Sequence, residues 1–313
     1  MKGLELSKKY YLEFGKPMLE NSFPELLPLI AVGLVGSGSE CLGFDDELSA
    51  DHDFEPAFCI FLPDENLIDR KAEFALERAY AKLPDEFLGF KRNKLSPVGG
   101  NRHGVIRIND FFIKNTGTPN GELSIFDWLS IDEQSLLEAT AGEVFYDGLG
   151  RFSEIRQKLS YLPEDVRLKK LAGHLLNMAQ TGQYNYNRCI SRNETAAAQL
   201  ALYEFVKSAM HVVFLINKSY IPYYKWSFRA LRDLTHISDL YDPLEYLISS
   251  GNTVSDIERK KKTIEIICAA ICSKLREERL VKSHNGELDA CAYEVNDNIL
   301  QESIRNMHIL CAV

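Results

Sequence analysis

Residues 26–63 read LLPLIAVGLVGSGSECLGFDDELSADHDFEPAFCIFLP, and this stretch decides which fold the sequence predicts. Two apolar segments, residues 26–35 and 54–62, have the length and the β-branched and aromatic content of buried strands. A glycine-rich turn and an acidic loop join them. The sequence therefore predicts a strand, a tight turn, a loop and a second strand.

The turn and the loop carry groups suited to a triphosphate and a metal. Glycines in the turn expose backbone N–H groups and allow close approach of phosphates, to which serine hydroxyls can donate. In an extended strand Asp51 and Asp53 project to the same side, and this costly pair favours a hard cation such as Mg²⁺. We predict that Asp51 and Asp53 are metal ligands. The predicted nucleotide-binding residues of the turn are Gly36, Ser37, Gly38 and Ser39.

Gly-Ser at the end of an apolar strand, followed by Asp-x-Asp before the next, resembles the nucleotidyltransferase superfamily of the DNA polymerase β type. The segments GLVGSGSECLGFDDELSADHDFEP, EVFYDGLG, YIPYYKW and RNMHIL are similar to a group of bacterial proteins classed as a domain of unknown function in that superfamily. The resemblance implies that the serine turn holds the triphosphate. It also implies that the aspartates hold two Mg²⁺, for which Mn²⁺ is an alternative, and that a substrate hydroxyl attacks the α-phosphate.

The resemblance further implies a third carboxylate, which helps to hold the metal and activates the attacking hydroxyl. The predicted strand at residues 104–108 contains no carboxylate. Asp110 lies just beyond this strand and is the favoured candidate, while Glu55 is the alternative. Asp51, Asp53 and Asp110 are thus the predicted catalytic residues.

From Trp128 onward the apolar periodicity predicts helices and no strand. The change of character near residue 150, with residues 142–152 as a junction, divides the chain in two. We expect an α+β protein, with a nucleotidyltransferase-like mixed-sheet domain at residues 1–150 and a helical domain at residues 151–313.

Lys225 and Arg229 stand four residues apart in the predicted helix 222–234, next to aromatic residues. Positive charge gathered in this way can neutralise phosphate, and the alternative is a helix that packs between domains. The resemblance favours the first interpretation, since helical domains of antibiotic nucleotidyltransferases in this superfamily close over the nucleotide. Arg188 and Arg192, also four residues apart, are a further candidate pair.

Composition limits the class of protein. The chain has 313 residues, 45% of them apolar, and a formal net charge of −9, which predicts a globular protein and argues against a nucleic-acid or membrane-surface binder. There is no run of eighteen apolar residues, so we expect a cytoplasmic location and no membrane partner. The seven scattered cysteines fit reduced core thiols.

The sequence therefore predicts a Mg²⁺-dependent enzyme that moves a nucleoside monophosphate from ATP or another nucleoside triphosphate to a small-molecule acceptor. The alternative is a catalytically silent nucleotide-binding or regulatory protein with the same fold. A helical interaction scaffold is a third, less specific interpretation.

Overall fold

The structure, a computed structural model, describes residues 1–46, 54–92, 102–282 and 286–313. The chain divides into two compact units. Unit 1 contains Met1–Leu123 and Ser135–Ser160, and unit 2 contains Ser124–Gln134 and Tyr161–Val313. The predicted domain boundary at residue 150 stays a prediction.

Six strands and sixteen α-helices are present in the described residues, besides short 3₁₀ and π-helical segments. The strands are β1 Ala31–Val35, β2 Cys59–Leu62, β3 Glu86–Phe87, β4 Phe90–Lys91, β5 Gly104–Arg107 and β6 Gly142–Asp147. The first eight helices are α1 Gly3–Tyr10, α2 Lys16–Ser22, α3 Ser39–Leu42, α4 Arg70–Ala81, α5 Ile108–Thr116, α6 Ile125–Ser130, α7 Glu133–Thr140 and α8 Arg151–Lys158. The others are α9 Glu164–Met178, α10 Asn187–Ser191, α11 Thr195–Ile216, α12 Tyr224–Arg232, α13 Tyr241–Ser249, α14 Val254–Glu277, α15 Leu288–Asp297 and α16 Glu302–Arg305.

Unit 1 is built on a four-stranded mixed sheet in the order β5-β2-β1-β6. Strand β1 runs antiparallel to both β2 and β6, and β2 runs parallel to β5. With the described elements from Arg151 onward all helical, the predicted α+β class and helical C-terminal region are confirmed.

The two faces of the sheet pack against different layers, because successive side chains of a strand point to opposite sides. Ile60 lies with Tyr10 and Tyr80 in a core formed with the N-terminal helices and α4. Phe61 points the other way and stacks on Phe152 of α8, with ring centroids 4.1 Å apart. Burial on both faces explains why β2 is apolar throughout.

The prediction of no strand after Trp128 is wrong. Residues 142–147, expected to form a junction, are strand β6, which pairs with β1 from Ala31 to Val35. All six residues of β6 are only half-buried and include the charged Glu143 and Asp147, so the segment has no continuous apolar run to reveal it. Its partner strand lies more than a hundred residues earlier in the chain.

The first two predicted strands are shorter than expected, and prolines account for both differences. The segment Leu27–Leu29, which contains Pro28, forms a short 3₁₀ turn, so that β1 begins only at Ala31. Strand β2 begins at Cys59, after Pro56. Proline has no N–H to donate to a neighbouring strand.

Tyr80 connects α4 to the chain entering β2. Its buried hydroxyl donates to the carbonyl of Phe58 at 2.7 Å and accepts from the Phe58 N–H at 3.1 Å. We expect Tyr80→Phe to lower the free energy of unfolding by about 1–3 kcal/mol, because it leaves a buried N–H without an acceptor. Urea denaturation measures the change, with Tyr293→Phe, at a 56% exposed tyrosine, as the control. Equal stability of both variants and the wild type would contradict this role.

Unit 2 is helical, and its core forms where α9 packs against α11 and α15. Helix α11 has the length and composition of a membrane span, with a mean hydropathy of 1.3 over its most apolar window. Within the protein, 61% of that window is buried, as in the core helix of a globular unit. The cytoplasmic location stays a prediction.

Candidate functional site

The glycine turn follows β1 directly, as predicted. Gly36 and Gly38 have φ angles of 113° and 123°, which side-chain-bearing residues rarely adopt. Gly38 precedes α3, whose first residue is Ser39. The two glycines therefore allow the chain to leave a buried strand and turn at once into a helix.

Arg102 holds this turn in place. Its Nη2 atom donates to the carbonyl oxygen of Ser37 and to Oε1 of the buried Glu40. A Cβ atom on Gly38 would lie 1.6 Å from the same nitrogen, so the glycine makes room for the guanidinium group. The sequence analysis missed Arg102, because no local pattern links it to a turn more than sixty residues earlier.

A cavity of about 330 Å³ lies at the carboxyl end of β1. Gly36 and Ser37 line it from the turn, and Asp110 and Lys114 line it from α5. The structure thus brings together three of the predicted site residues, Gly36, Ser37 and Asp110. Gly38 and Ser39 are described but are not part of the cavity lining.

Asp110 and Lys114 are polar groups open to a ligand at this cavity, as is Glu77 of α4. Asp110 and Lys114 stand four residues apart on α5, so they share one face of the helix. Both are exposed, and within the described part of the chain neither makes a hydrogen bond or an ion pair. Lys114 was not recognised from the sequence.

Arg107 adds positive charge to the cavity but is held firmly by the protein. Its guanidinium donates to the carbonyls of Pro63 at 2.7 Å and Ile68 at 2.9 Å, and it pairs with Glu73 of α4. A second cavity of about 310 Å³ shares Glu73, Arg107 and Asp110 with the first. Asp110 therefore lies where two cavities meet.

The predicted metal ligands, Asp51 and Asp53, lie outside the described residues. The register of Gly33 opposite Cys59 places the start of β2 at the sheet edge where β1 ends. Among the residues that the structure does describe, no three His, Cys, Asp or Glu side chains are grouped to hold a metal. The metal site stays a prediction.

Glu55, the alternative third carboxylate, is engaged elsewhere. Its Oε1 atom lies 2.8 Å from Nδ1 of His103, and both side chains are largely buried. Asp45 accepts the N–H of Gly3 at 2.7 Å and so fixes the start of α1. Both acidic side chains have structural partners.

Two thiols lie in the same unit near the turn. Burial raises the pKa of Cys41 and of Cys59 to about 12. Both thiols are therefore protonated at neutral pH, and neither provides a thiolate nucleophile.

Lys225 and Arg229 lie in unit 2, on α12. The Nζ atom of Lys225 is 4.9 Å and the Cζ atom of Arg229 is 5.8 Å from the ring centroid of Trp226. The indole thus lies within cation–π distance of both charges. In the further candidate pair, Arg188 lies over the ring of Tyr184. The roles of Lys225, Arg229, Arg188 and Arg192 in nucleotide binding stay predictions.

Comparison with known proteins gives a family match for part of the chain. The model of a domain of unknown function, DUF4037, matches residues 128–227. This range covers less than half of the chain and runs from α6 into α12, so it excludes the glycine turn and Asp110. A search of curated proteins found no match. The chain is thus similar, over this range, to a family described only as a domain of unknown function.

Proposed function

We propose that the protein is a Mg²⁺-dependent nucleotidyltransferase that moves a nucleoside monophosphate from ATP or another nucleoside triphosphate to a small-molecule acceptor. The observation that carries the proposal is the cavity at the end of β1, where the Gly36–Ser37 backbone meets Asp110 and Lys114. The resemblance to nucleotidyltransferases of the DNA polymerase β type assigns the triphosphate to such a turn. Membership of that superfamily is part of the proposal.

One basic side chain of the cavity, Lys114, supports binding of phosphate. Arg102 and Arg107 each pair with a glutamate, whereas Lys114 has no such partner within the described residues. An ammonium group that is free to move can follow the negative oxygens of a bound triphosphate. The turn at Gly36 and Ser37 supplies backbone N–H groups, and Lys114 supplies positive charge.

The chemistry of the donor set fits Mg²⁺. Asp51 and Asp53 would hold it through carboxylate oxygens, which Mg²⁺ prefers, and Asp110 is a third carboxylate of the same kind. When bound, Mg²⁺ neutralises charge on the phosphates and polarises the α-phosphate.

In the proposed reaction, the hydroxyl oxygen of the acceptor attacks the α-phosphorus. The bond from this phosphorus to the bridging oxygen breaks, and pyrophosphate leaves with the electron pair. Asp110, which is exposed and unpaired within the described residues, takes the proton of the attacking hydroxyl. Positioning and charge neutralisation then provide the catalysis, as is usual in phosphoryl transfer.

A binding assay followed by a turnover assay tests the proposal. Nucleoside triphosphates are titrated calorimetrically with Mg²⁺, and pyrophosphate release is then measured in a mixed pool of hydroxyl-bearing metabolites. Binding with release supports the proposal. Binding without release favours the catalytically silent nucleotide-binding protein, and the absence of both would contradict a nucleotide site.

Lys114→Met is expected to weaken binding of the Mg²⁺–nucleotide complex by up to about fivefold, because an exposed charge contributes at most about 1 kcal/mol. The remaining affinity should depend less on salt concentration, since one charge interaction is lost. Calorimetric titration at two ionic strengths measures both effects. Lys82→Met, which removes an exposed lysine after α4, is the matched control. Equal losses in the two variants would show a general charge effect.

A further inference from the structure

A cavity of about 730 Å³ lies within unit 2. It is lined by residues 129–133, by α9, by α11 and by residues 310–313. Its volume falls in the range of small-molecule sites in proteins. Its polar lining residues include Glu133, Lys170, His174 and His211.

Buried lysines elsewhere in unit 2 are fully engaged. Lys169 donates to Oδ1 of Asn296 at 2.9 Å and to the carbonyl of Met307 at 2.7 Å. Lys260 donates to Oδ1 of Asn252 at 3.0 Å and has two further oxygen acceptors. This is the usual arrangement, because an ammonium group without acceptors is costly to bury.

Lys170, the neighbour of Lys169 on α9, is different. It is only 6% exposed and lines the cavity, yet its ammonium group has no hydrogen bond or ion pair to any residue that the structure describes. Glu133 of α7 is 3% exposed, and its Oε2 atom also lacks a partner among the described residues. The Lys170 side chain and the Oε2 atom of Glu133 thus face the same space, each without a hydrogen-bond partner among the described residues.

Two histidines complete the polar wall. The rings of His174 and His211 stack with centroids 4.4 Å apart, and Nδ1 of His211 lies 3.6 Å from Oε1 of Glu133. Burial, together with the nearby His211 and Lys170, holds the pKa of His174 well below its usual value. His174 is therefore neutral, and its Nδ1 atom has no partner within the described chain.

An apolar cavity of about 550 Å³ adjoins the polar one, since the two share Asp132, Lys207 and His211. Its aromatic lining residues are Tyr203, Tyr223, Tyr224 and Phe228. Aromatic side chains bind flat apolar groups by stacking and edge contacts. A ligand that extends from one cavity into the other would place a charged group beside Lys170 and a planar group among these rings.

We propose that unit 2 holds a binding site for a small aromatic anion, in which Lys170 binds the anionic oxygens and the adjoining aromatic cavity receives the ring. Lys207 adds a second positive charge where the cavities meet. The shared chemistry is an aromatic ring that carries a phosphate or a carboxylate, and the site does not depend on the nucleotidyltransferase proposal.

The test titrates the full-length protein with phenyl phosphate, benzoate and inorganic phosphate in Mg²⁺-free buffer, without nucleotide. We expect phenyl phosphate or benzoate to bind the wild type, and the tighter of the two identifies the anionic group. Lys170→Met should weaken this binding by about tenfold or more, because a hydrogen bond to a charged group is lost. Its melting temperature shows whether the variant is folded under the conditions of the titration.

A control variant distinguishes loss of this site from the general effect of removing a lysine. Lys262→Met removes an exposed lysine of α14 in the same unit and should bind the probes like the wild type. Nitrogen-15 NMR of the imidazoles should show a shift of the His174 signal on binding, assigned with His174→Gln.

Unchanged probe affinity in Lys170→Met overturns the proposal. Loss of probe affinity in Lys114→Met but not in Lys170→Met also overturns it, because the probe would then bind in unit 1. Inorganic phosphate binding as tightly as both aromatic probes overturns the aromatic half.

Discussion

Asp53→Asn is expected to lower nucleotidyl transfer on the order of a hundred- to a thousandfold, which is typical for removal of one group that stabilises transition-state charge. Asp51→Asn should have an effect of the same order, because the proposed metal needs both carboxylates. Both variants should also bind the Mg²⁺–nucleotide complex more weakly. Pyrophosphate release and calorimetric titration measure the two effects.

The fold should survive these changes. Relief of repulsion between two neighbouring carboxylates can even raise the melting temperature in the absence of metal. Asp46→Asn removes the same charge from the same loop and is the matched control. If Asp51→Asn and Asp53→Asn retain wild-type nucleotide affinity and turnover, the acidic pair is not the metal site.

Gly38→Ala is expected to lower nucleotide affinity by about tenfold or more, through loss of the turn geometry that positions donors to charged oxygens. At φ 123° and ψ 154° the backbone lies in a region reserved for glycine, which costs a side-chain-bearing residue about 1–3 kcal/mol. The new Cβ would also lie 1.6 Å from Nη2 of Arg102 and 2.8 Å from Oε2 of Glu40. The Arg102–Glu40 pair must therefore move.

Gly43→Ala separates backbone strain from this displacement. Gly43 ends α3 at φ 75° and ψ 11°, and a Cβ there would meet no atom within 4 Å. The variant should lose about 1–2 kcal/mol of stability, the usual cost of a left-handed residue, and keep its nucleotide affinity. Thermal melts and titrations of both variants give the comparison. If Gly43→Ala loses as much nucleotide affinity as Gly38→Ala, the turn at Gly38 has no specific role in nucleotide binding.

Local sequence pattern was sufficient for the fold class and for much of the secondary structure. The apolar run before Gly36 predicts β1, and residues 65–82 have an amphipathic pattern that predicts the helix observed as α4. The helix starts at Arg70 because the side chain of Asp69 accepts the N–H of Ala72 at 2.8 Å. Periodicity, capping residues and glycine conformation are local properties, and a single sequence displays them.

The sequence by itself thus determined an α+β protein with a glycine turn after its first strand, a helical C-terminal region, and Asp51 and Asp53 as hypothetical ligands. Only the tertiary structure decided that β6 pairs with β1, that Arg102 fixes the turn and that Lys114 faces the same cavity as Gly36. It also distinguished Lys169, which is fully hydrogen-bonded, from its neighbour Lys170. The physical reason is that strand pairing, burial and hydrogen bonding depend on contacts between segments that are distant in sequence. A local sequence pattern carries no information about those contacts.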